Sequence, residues 1–134
     1  MHPFKFSLSF RVTHPTAPSA GIIALIGKSP RFRWDVGARR MTPKGTLLQG
    51  NYDSTYCSFA IAEGPHSALV RSIRKWNKHL AQRKRGLDRL KKTGGRLEYF
   101  LGVYINGNAG LELSPELLRE TGHLDIELAL DIYG

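Results

Sequence analysis

Cysteine and long apolar runs are nearly absent from this sequence of 134 residues. The single cysteine, Cys57, allows neither an internal disulfide nor a cysteine-based metal site. The longest apolar stretch, residues 21–27, is much shorter than the roughly 20 residues that span a bilayer. The first residues also lack the apolar segment and cleavage site of a secretory signal peptide. We therefore expect a cytoplasmic protein without a membrane partner.

Motifs that bind cofactors or metals are missing as well. Residues 27–29 read Gly-Lys-Ser, like the end of a phosphate-binding loop, but five residues separate Gly21 from Gly27 where that loop requires four. None of the histidines has the i, i+4 spacing of a helical metal pair. The histidines are His2, His14, His66, His79 and His123. Cys57 lies in an apolar segment, which favours a buried, inert thiol over a nucleophile. No catalytic residue, metal ligand or cofactor is predicted, and an enzyme whose site is assembled from distant residues is the third of three functional alternatives.

Acidic residues are almost missing from the middle of the chain. Residues 65–96 hold eleven Lys and Arg but only one acid, Asp88, whereas residues 97–134 hold seven acids and one base, Arg119. The formal net charge is +9. Such a polarised field can attract an anionic partner, or the acidic end can offset the basic middle within the fold.

Strand and helix patterns cover most of the chain. Segments of period-two alternation, typical of strands with one buried face, span residues 4–12, 55–62, 97–105 and 124–132. Helices are predicted over residues 20–26, 65–93 and 117–121, the last after the capping sequence Ser-Pro-Glu. We predict one α+β domain over residues 1–134, a two-layer sandwich with a mainly antiparallel sheet and helices on one face.

The order of these elements is ferredoxin-like, with an appended helix and strand, if a hairpin is counted in residues 45–62. The wet face of the first strand carries Lys5 and Arg11, and the last strand region carries Asp125, Glu127 and Asp131. Opposite charges favour neighbouring strands. The pattern therefore predicts that the first and last strands are paired.

The predicted helix over residues 65–93 is basic on the face opposite its apolar stripe. Seven cations fall on that face at about 100° per residue. They are Arg71, Arg74, Lys75, Lys78, Arg85, Arg89 and Lys92. Solvated helices usually mix charge signs, so the face indicates a surface for an anionic partner, with a merely solvated face as the alternative.

Residues 28–54 are rich in Gly, Pro, Arg and Lys and are predicted to form a long basic loop, with a short strand within residues 45–50. Its candidate partner-binding residues are Arg31, Arg33, Trp34, Arg39, Arg40 and Lys44. Trp34 among arginines is suited to stacking on a base. The favoured alternative is that Trp34 packs at the edge of the core and holds the loop down.

The outer face of the sheet is predicted to carry several aromatic residues among its polar ones. They are Tyr56, Phe100, Tyr104 and Tyr133. Exposed aromatics form docking patches for proteins or stacking platforms for bases. The acids on the same strands favour a protein partner or self-association at this possible sheet-face patch.

Motifs along nearly the whole chain resemble a bacterial family known only as domain of unknown function 4279. The matching segments are residues 6–15, 25–30, 37–45, 111–118 and 130–133. The most specific are Arg-Arg-Met-Thr-Pro-Lys-Gly at residues 39–45 and Leu-Asp-Ile-Tyr at residues 130–133. One departure is Cys57, where such sequences commonly carry tryptophan. The resemblance implies a bacterial origin and a domain boundary but no activity.

These observations together predict a non-enzymatic binding module for an anionic macromolecule. An acidic protein surface is the expected partner. An immunity or regulatory protein that acts by occlusion fits a small domain without catalytic motifs. The alternative is an RNA- or DNA-binding module that uses the basic helix and the basic loop.

Overall fold

A computed structural model describes residues 3–134, so Met1 and His2, one of the five histidines considered above, lie outside the described residues. Within that range the strands are β1 (Lys5–His14), β2 (Phe32–Trp34), β3 (Arg39–Met41), β4 (Leu47–Asn51), β5 (Thr55–Pro65), β6 (Arg96–Tyr104) and β7 (Ile126–Tyr133). The helices are α1 (Ser19–Ile26), α2 (Leu69–Ala81), α3 (Lys84–Lys92) and α4 (Pro115–His123). A short 3-10 helix, His66–Ala68, precedes α2.

Strand β1 lies at the centre of the main sheet, whose order is β2-β5-β1-β6-β7. It pairs antiparallel with both β5 and β6, and β7 is parallel to β6 because α4 carries the chain back across the sheet. Every second residue of β1 is buried, as its alternation predicts. The prediction of an α+β fold with a mainly antiparallel sheet is therefore confirmed.

The ferredoxin-like order is not confirmed, and the predicted pairing of the first and last strands is wrong. Strand β6 lies between β1 and β7. The charged residues that were expected to pair β1 with β7 instead pair with residues of β6. Arg11 of β1 faces Glu98 at 3.7 Å, and Glu127 of β7 contacts Arg96 at 2.7 Å. Opposite charges occur on three adjacent strands, so charge complementarity alone could not decide which two were neighbours.

The segment predicted as a loop over residues 28–54 contains three short strands, which corrects that prediction. Strand β2 is an edge of the main sheet, whereas β3 and β4 form a separate two-stranded hairpin. Strand β4 bears out the short strand expected near residues 45–50. Because every residue of β3 and β4 is exposed, no alternation between apolar and polar residues revealed them.

The predicted continuous helix over residues 65–93 is broken into α2 and α3. The break lies at Arg83, which interrupts the apolar stripe and has non-helical φ and ψ of −119° and 15°. Its Nη1 donates a hydrogen bond to the carbonyl oxygen of His79 at 3.2 Å, and its guanidinium lies against Gly27. Gly27 ends α1 with φ of 72°. The two helices can therefore tilt separately against the sheet, and Leu69, Ile73, Leu80 and Leu87 are all buried in the core.

A buried asparagine, which the stripe pattern did not predict, links α2 to the sheet and to α4. Asn77 Oδ1 accepts a hydrogen bond from the Tyr99 hydroxyl at 2.7 Å. Its Nδ2 donates to Glu120 Oε1 at 2.9 Å and to Thr121 Oγ1 at 3.0 Å. Because these bonds satisfy the amide, a polar side chain is tolerated in the core.

Two glycines end α3 for different reasons. Gly94 has φ of +106°, a conformation that residues with a Cβ rarely adopt. Gly95 is buried, and a Cβ there would lie 2.6 Å from the carbonyl oxygen of Leu90. Its amide donates to that same oxygen at 2.7 Å, so the close approach is part of the helix end.

We expect Gly95→Ala to lower the free energy of unfolding by about 2 kcal/mol, because the new methyl group collides with backbone that cannot move independently. Gly122→Ala is the matched control, since Gly122 is in α4 and has open space around it. That change should instead stabilise the protein by about 0.5–1 kcal/mol through helix propensity. Urea unfolding of both variants measures the difference, and equal effects would contradict the close packing at Gly95.

Candidate functional site

The predicted basic face is exposed along both helices. All seven of its cations on α2 and α3 are solvent-exposed, as expected from the helical wheel. Arg74 lies 4.0 Å from Glu116 on α4. For the other six, no ion pair is formed with any residue in the range 3–134. We call the exposed cations of α2 and α3 the basic helix face.

The break at Arg83 divides the basic helix face into two parts with different surroundings. On α2, Arg74 and Lys78 border a groove that Glu116 and Glu120 of α4 line from the other side. On α3, Arg85, Arg89 and Lys92 surround Asp88, whose carboxylate already accepts hydrogen bonds from Lys84 at 3.1 and 3.2 Å. The α3 part therefore has the larger excess of positive charge.

Three of the six cations in residues 28–54 are used in local structure. Arg33 donates to the Ser19 hydroxyl at 2.6 Å and lies 4.0 Å from Asp35. Arg39 Nε and Arg40 Nη1 donate to backbone carbonyl oxygens of β4 at 2.9 and 3.3 Å. These bonds hold β3 to β4, so the two arginines have a structural use besides any role in binding a partner. The exposed Arg31 and Lys44 complete the predicted set.

Trp34 is the centre of a stack of three aromatic rings. Its ring lies 4.6 Å from that of Tyr52 and 4.4 Å from that of Tyr56. The Tyr52 hydroxyl in turn donates to the Met41 carbonyl oxygen at 3.1 Å and accepts from the Met41 amide at 3.2 Å. Trp34 thus holds this segment in place, as the favoured interpretation predicted, but on the outer face of the sheet beside Tyr56 rather than at the edge of the core.

The four aromatics of the possible sheet-face patch fall into separate groups. Tyr104 and Tyr133 stack at 5.0 Å and are 47% and 46% exposed. The Phe100 ring is covered by the Arg11 guanidinium, 3.6 Å from its centroid. Tyr56 belongs to the Trp34 stack. The exposed pair at the ends of β6 and β7 is therefore the part of this patch that is open to a partner.

A groove on the outer face of the sheet, which sequence reasoning missed, has a volume of about 640 Å³. Its floor consists of small side chains on β1 and β5, including Ser7, Ser9, Ser58 and Ala60. Larger side chains rise on both sides of the floor, and Pro43 from the β3–β4 turn borders it. We call it the outer-face groove. The sequence feature that could have revealed this groove is the run of small residues at the outward-facing positions of β1 and β5.

Cys57 and His14 are buried and serve the structure. Burial raises the pKa of the Cys57 thiol to about 11. His14 Nδ1 accepts hydrogen bonds from the amides of Thr16 and Ala17, and its Nε2 lies 2.7 Å from Thr93 Oγ1. Burial lowers the pKa of His14, which favours the neutral form of its ring. Among residues 3–134 there is no group of three His, Cys, Asp or Glu side chains that could hold a metal ion.

Comparison with known proteins identifies a family but no characterised relative. A family model described as Domain of unknown function (DUF4279) matches residues 3–134. No curated protein and no solved structure matches the chain. In the part of the chain that the structure describes, every helix is too short or too polar to cross a membrane.

We expect Cys57 to resist modification in the folded protein. At pH 8 a pKa raised from 9.0 to about 11 lowers the thiolate fraction about a hundredfold, and burial excludes the reagent as well. A chromogenic disulfide reagent should therefore label the folded chain very slowly and the urea-unfolded chain rapidly. Fast labelling without urea would mean that the thiol is open and activated.

Stability should fall on acidification because of His14. Its folded pKa lies below the ordinary 6.5, so above pH 6.5 the ring is neutral in both states and the stabilisation is complete. Below pH 6.5 the unfolded chain takes up the proton first, and stability is lost as the pH falls towards the folded pKa. The free energy of unfolding, measured with urea at pH 7 and pH 5, should change less between the two pH values in His14→Gln than in His123→Gln. The second variant is the control, because His123 is exposed. An equal change in the two variants would mean that a group other than His14 causes the pH dependence of stability.

Proposed function

The chain belongs to the domain of unknown function DUF4279 family, and from its own surface we propose that it binds an acidic protein through the basic helix face. The observation that carries the proposal is the set of six exposed cations without an ion pair within residues 3–134. Asp88 is the single acid on the two helices, and Lys84 already binds it. A complementary acidic surface would neutralise this charge and steer the encounter.

The spacing of these cations destabilises α2 and α3 themselves, because like charges lie next to one another on the helix surface. Three pairs at i, i+4 carry like charges: Arg71 with Lys75, Arg74 with Lys78, and Arg85 with Arg89. Each such pair destabilises a helix by a few tenths of a kcal/mol. A surface that keeps these repulsions is better explained by a partner that relieves them than by solvation alone.

A protein fits the borders of the basic helix face better than a nucleic acid. Glu116 and Glu120 line its α2 side, where they would repel a phosphate backbone but could pair with cations of a protein. The β3–β4 turn reaches the outer-face groove, whereas α2 and α3 cover the opposite face of the sheet. A nucleic acid would therefore lack the combined surface of basic helix and basic loop on which that alternative depends.

Occlusion is the mode of action that we propose, in a bacterial immunity or regulatory protein of the cytoplasm. A charged face on a domain of 134 residues is suited to cover an acidic site on another protein. The single buried cysteine fits a reducing compartment. Binding to the acidic site and blocking access to it require no catalytic residue on this chain.

The test compares two triple variants with the same change in net charge. One reverses Arg71, Lys78 and Arg89 of the basic helix face to Glu. The control reverses Lys5, Lys28 and Arg119, which are exposed and lie outside α2 and α3. Each immobilised protein is incubated with lysate of the cells that make it, with and without nuclease, and retained proteins are identified by mass spectrometry.

We expect the wild type and the control to retain a common acidic protein with or without nuclease, and the helix variant to lose it. With that protein purified, the helix reversal should lower the association rate at least about tenfold at low salt. Equal retention by both variants would refute the proposal.

The same variants decide the nucleic-acid alternative. Binding of the wild type to a mixed oligonucleotide pool, with a log–log salt slope of about −4 to −5, would favour that alternative, since it implies about five neutralised phosphates. Loss of the retained protein after nuclease treatment would lead to the same conclusion.

A further inference from the structure

The outer-face groove combines a small floor with large aromatic walls. Phe32 on β2 is in register with Ser58 on β5 and Arg11 on β1, and the next row of outward-facing residues holds Ala60 on β5, Ser9 on β1 and Phe100 on β6. At a strand spacing of about 4.8 Å, the two phenylalanines lie on strands about 14 Å apart. That width accommodates one planar ring lying on the floor. The volume of about 640 Å³ is within the range of small-molecule sites.

Two arginines with unused donors line the groove. The Nε of Arg11 is buried and has no hydrogen-bond partner among residues 3–134. Its Nη1 lies 3.7 Å from Glu98 Oε1, longer than a hydrogen bond, while stacking on Phe100 holds the guanidinium in place. Arg31 is exposed, its guanidinium lies 5.4 Å from the Phe32 ring, and its amide is tied to the Ser58 carbonyl oxygen at 2.7 Å. The Arg11 side chain as a whole is 33% exposed, so an anion in the groove can make charge-assisted hydrogen bonds with the outer nitrogens of its guanidinium and with Arg31.

The wall at β2 offers a ring surface that the protein does not use. Phe32 is 42% exposed. Trp34, on the same face two residues along β2, is stacked between Tyr52 and Tyr56, so that part of the wall is held in place before any ligand arrives. Rigid aromatic walls bind planar ligands without an ordering cost.

Glu63 limits the charge of the ligand. It lines the groove and pairs in register with Ser7, two residues along β1 from Ser9 and four from Arg11. A second anionic group on the ligand would approach this carboxylate. One anionic group at the arginines is therefore favoured over two.

From these observations we propose that the outer-face groove binds a small aromatic or heteroaromatic ring that carries one phosphate or carboxylate group. The anion lies at Arg11 and Arg31, and the ring lies on the serine and alanine floor beside Phe32. The site is on the face of the sheet opposite to α2 and α3, so it is independent of the function proposed for the basic helix face.

Calorimetric titration tests the proposal with four defined probes. Adenosine 5′-monophosphate and indole-3-acetate carry a ring together with a phosphate or a carboxylate, whereas adenosine and inorganic phosphate each carry one half of that chemistry. At least one of the first two probes should bind with a Kd below about 1 mM, and at least about tenfold more tightly than both of the last two. Which of the two binds identifies the source of the anion.

Variants then locate the site. Arg31→Gln should weaken binding about tenfold by removing a charge-assisted hydrogen bond. Ser9→Phe should abolish binding by filling the floor, on a strand where an aromatic residue is tolerated. Arg71→Gln, the same change on the basic helix face, should leave the affinity unchanged. Circular dichroism of each variant verifies the fold.

Three results would overturn the proposal. They are the absence of binding by both ring-bearing anions below about 1 mM, binding of inorganic phosphate alone as tight as theirs, and unchanged affinity in a folded Ser9→Phe variant. A loss of affinity in Arg71→Gln equal to that in Arg31→Gln would also overturn it. None of these results bears on the acidic protein partner, which is tested by reversals on the other face.

Discussion

The pairing of β1 with strands on both of its sides positions the other elements of the protein. All ten of its residues lie opposite a residue of β5, and nine of them also lie opposite a residue of β6. Phe6, Leu8, Phe10 and Val12 all point to the helix side and are at most 2% exposed. Once these apolar side chains share one face, α2 and α3 must cover that face, and the polar residues of β1 must form the middle of the other.

The two surfaces with candidate functions follow from this single separation of faces. The helix side needs apolar residues inside, so its cations are displaced to the far side of α2 and α3. The outer side has no helix above it, and small residues in the middle of β1 and β5 leave the groove open there. The chain therefore carries a charged helix surface on one side of the sheet and an aromatic-walled groove on the other, and these are the two surfaces for which binding is proposed.

Polar contacts between distant residues attach the segments that the sheet itself does not hold. Asp35 accepts hydrogen bonds from the Ser19 amide at 2.7 Å and the Ser19 hydroxyl at 2.9 Å, which joins the start of α1 to the end of β2. These bonds keep the pKa of Asp35 below its ordinary value. The hydrogen bonds of Asn77 join α2 to β6 and α4 in the same way. Such contacts join residues that are 16 to 44 positions apart in the sequence, so no local sequence pattern predicts them.

The sequence by itself determined the existence of most helices and strands and which face of most of them is buried, although Leu130 and Ile132 on the predicted buried face of β7 are exposed. It did so because the period-two pattern of β1 and the helical stripe from Leu69 to Leu87 reflect local geometry that every residue obeys. It also predicted that the seven cations of the basic helix face would be exposed, and the Ser114 cap that begins α4, whose Oγ accepts from the Leu117 amide at 3.2 Å. Only the tertiary structure decided the strand order, the hairpin of β3 and β4, the break at Arg83 and the outer-face groove. Each of these depends on contacts between distant residues, such as β6 inserted between β1 and β7 or Arg83 packed on Gly27, and several pairings satisfy the same local pattern equally well.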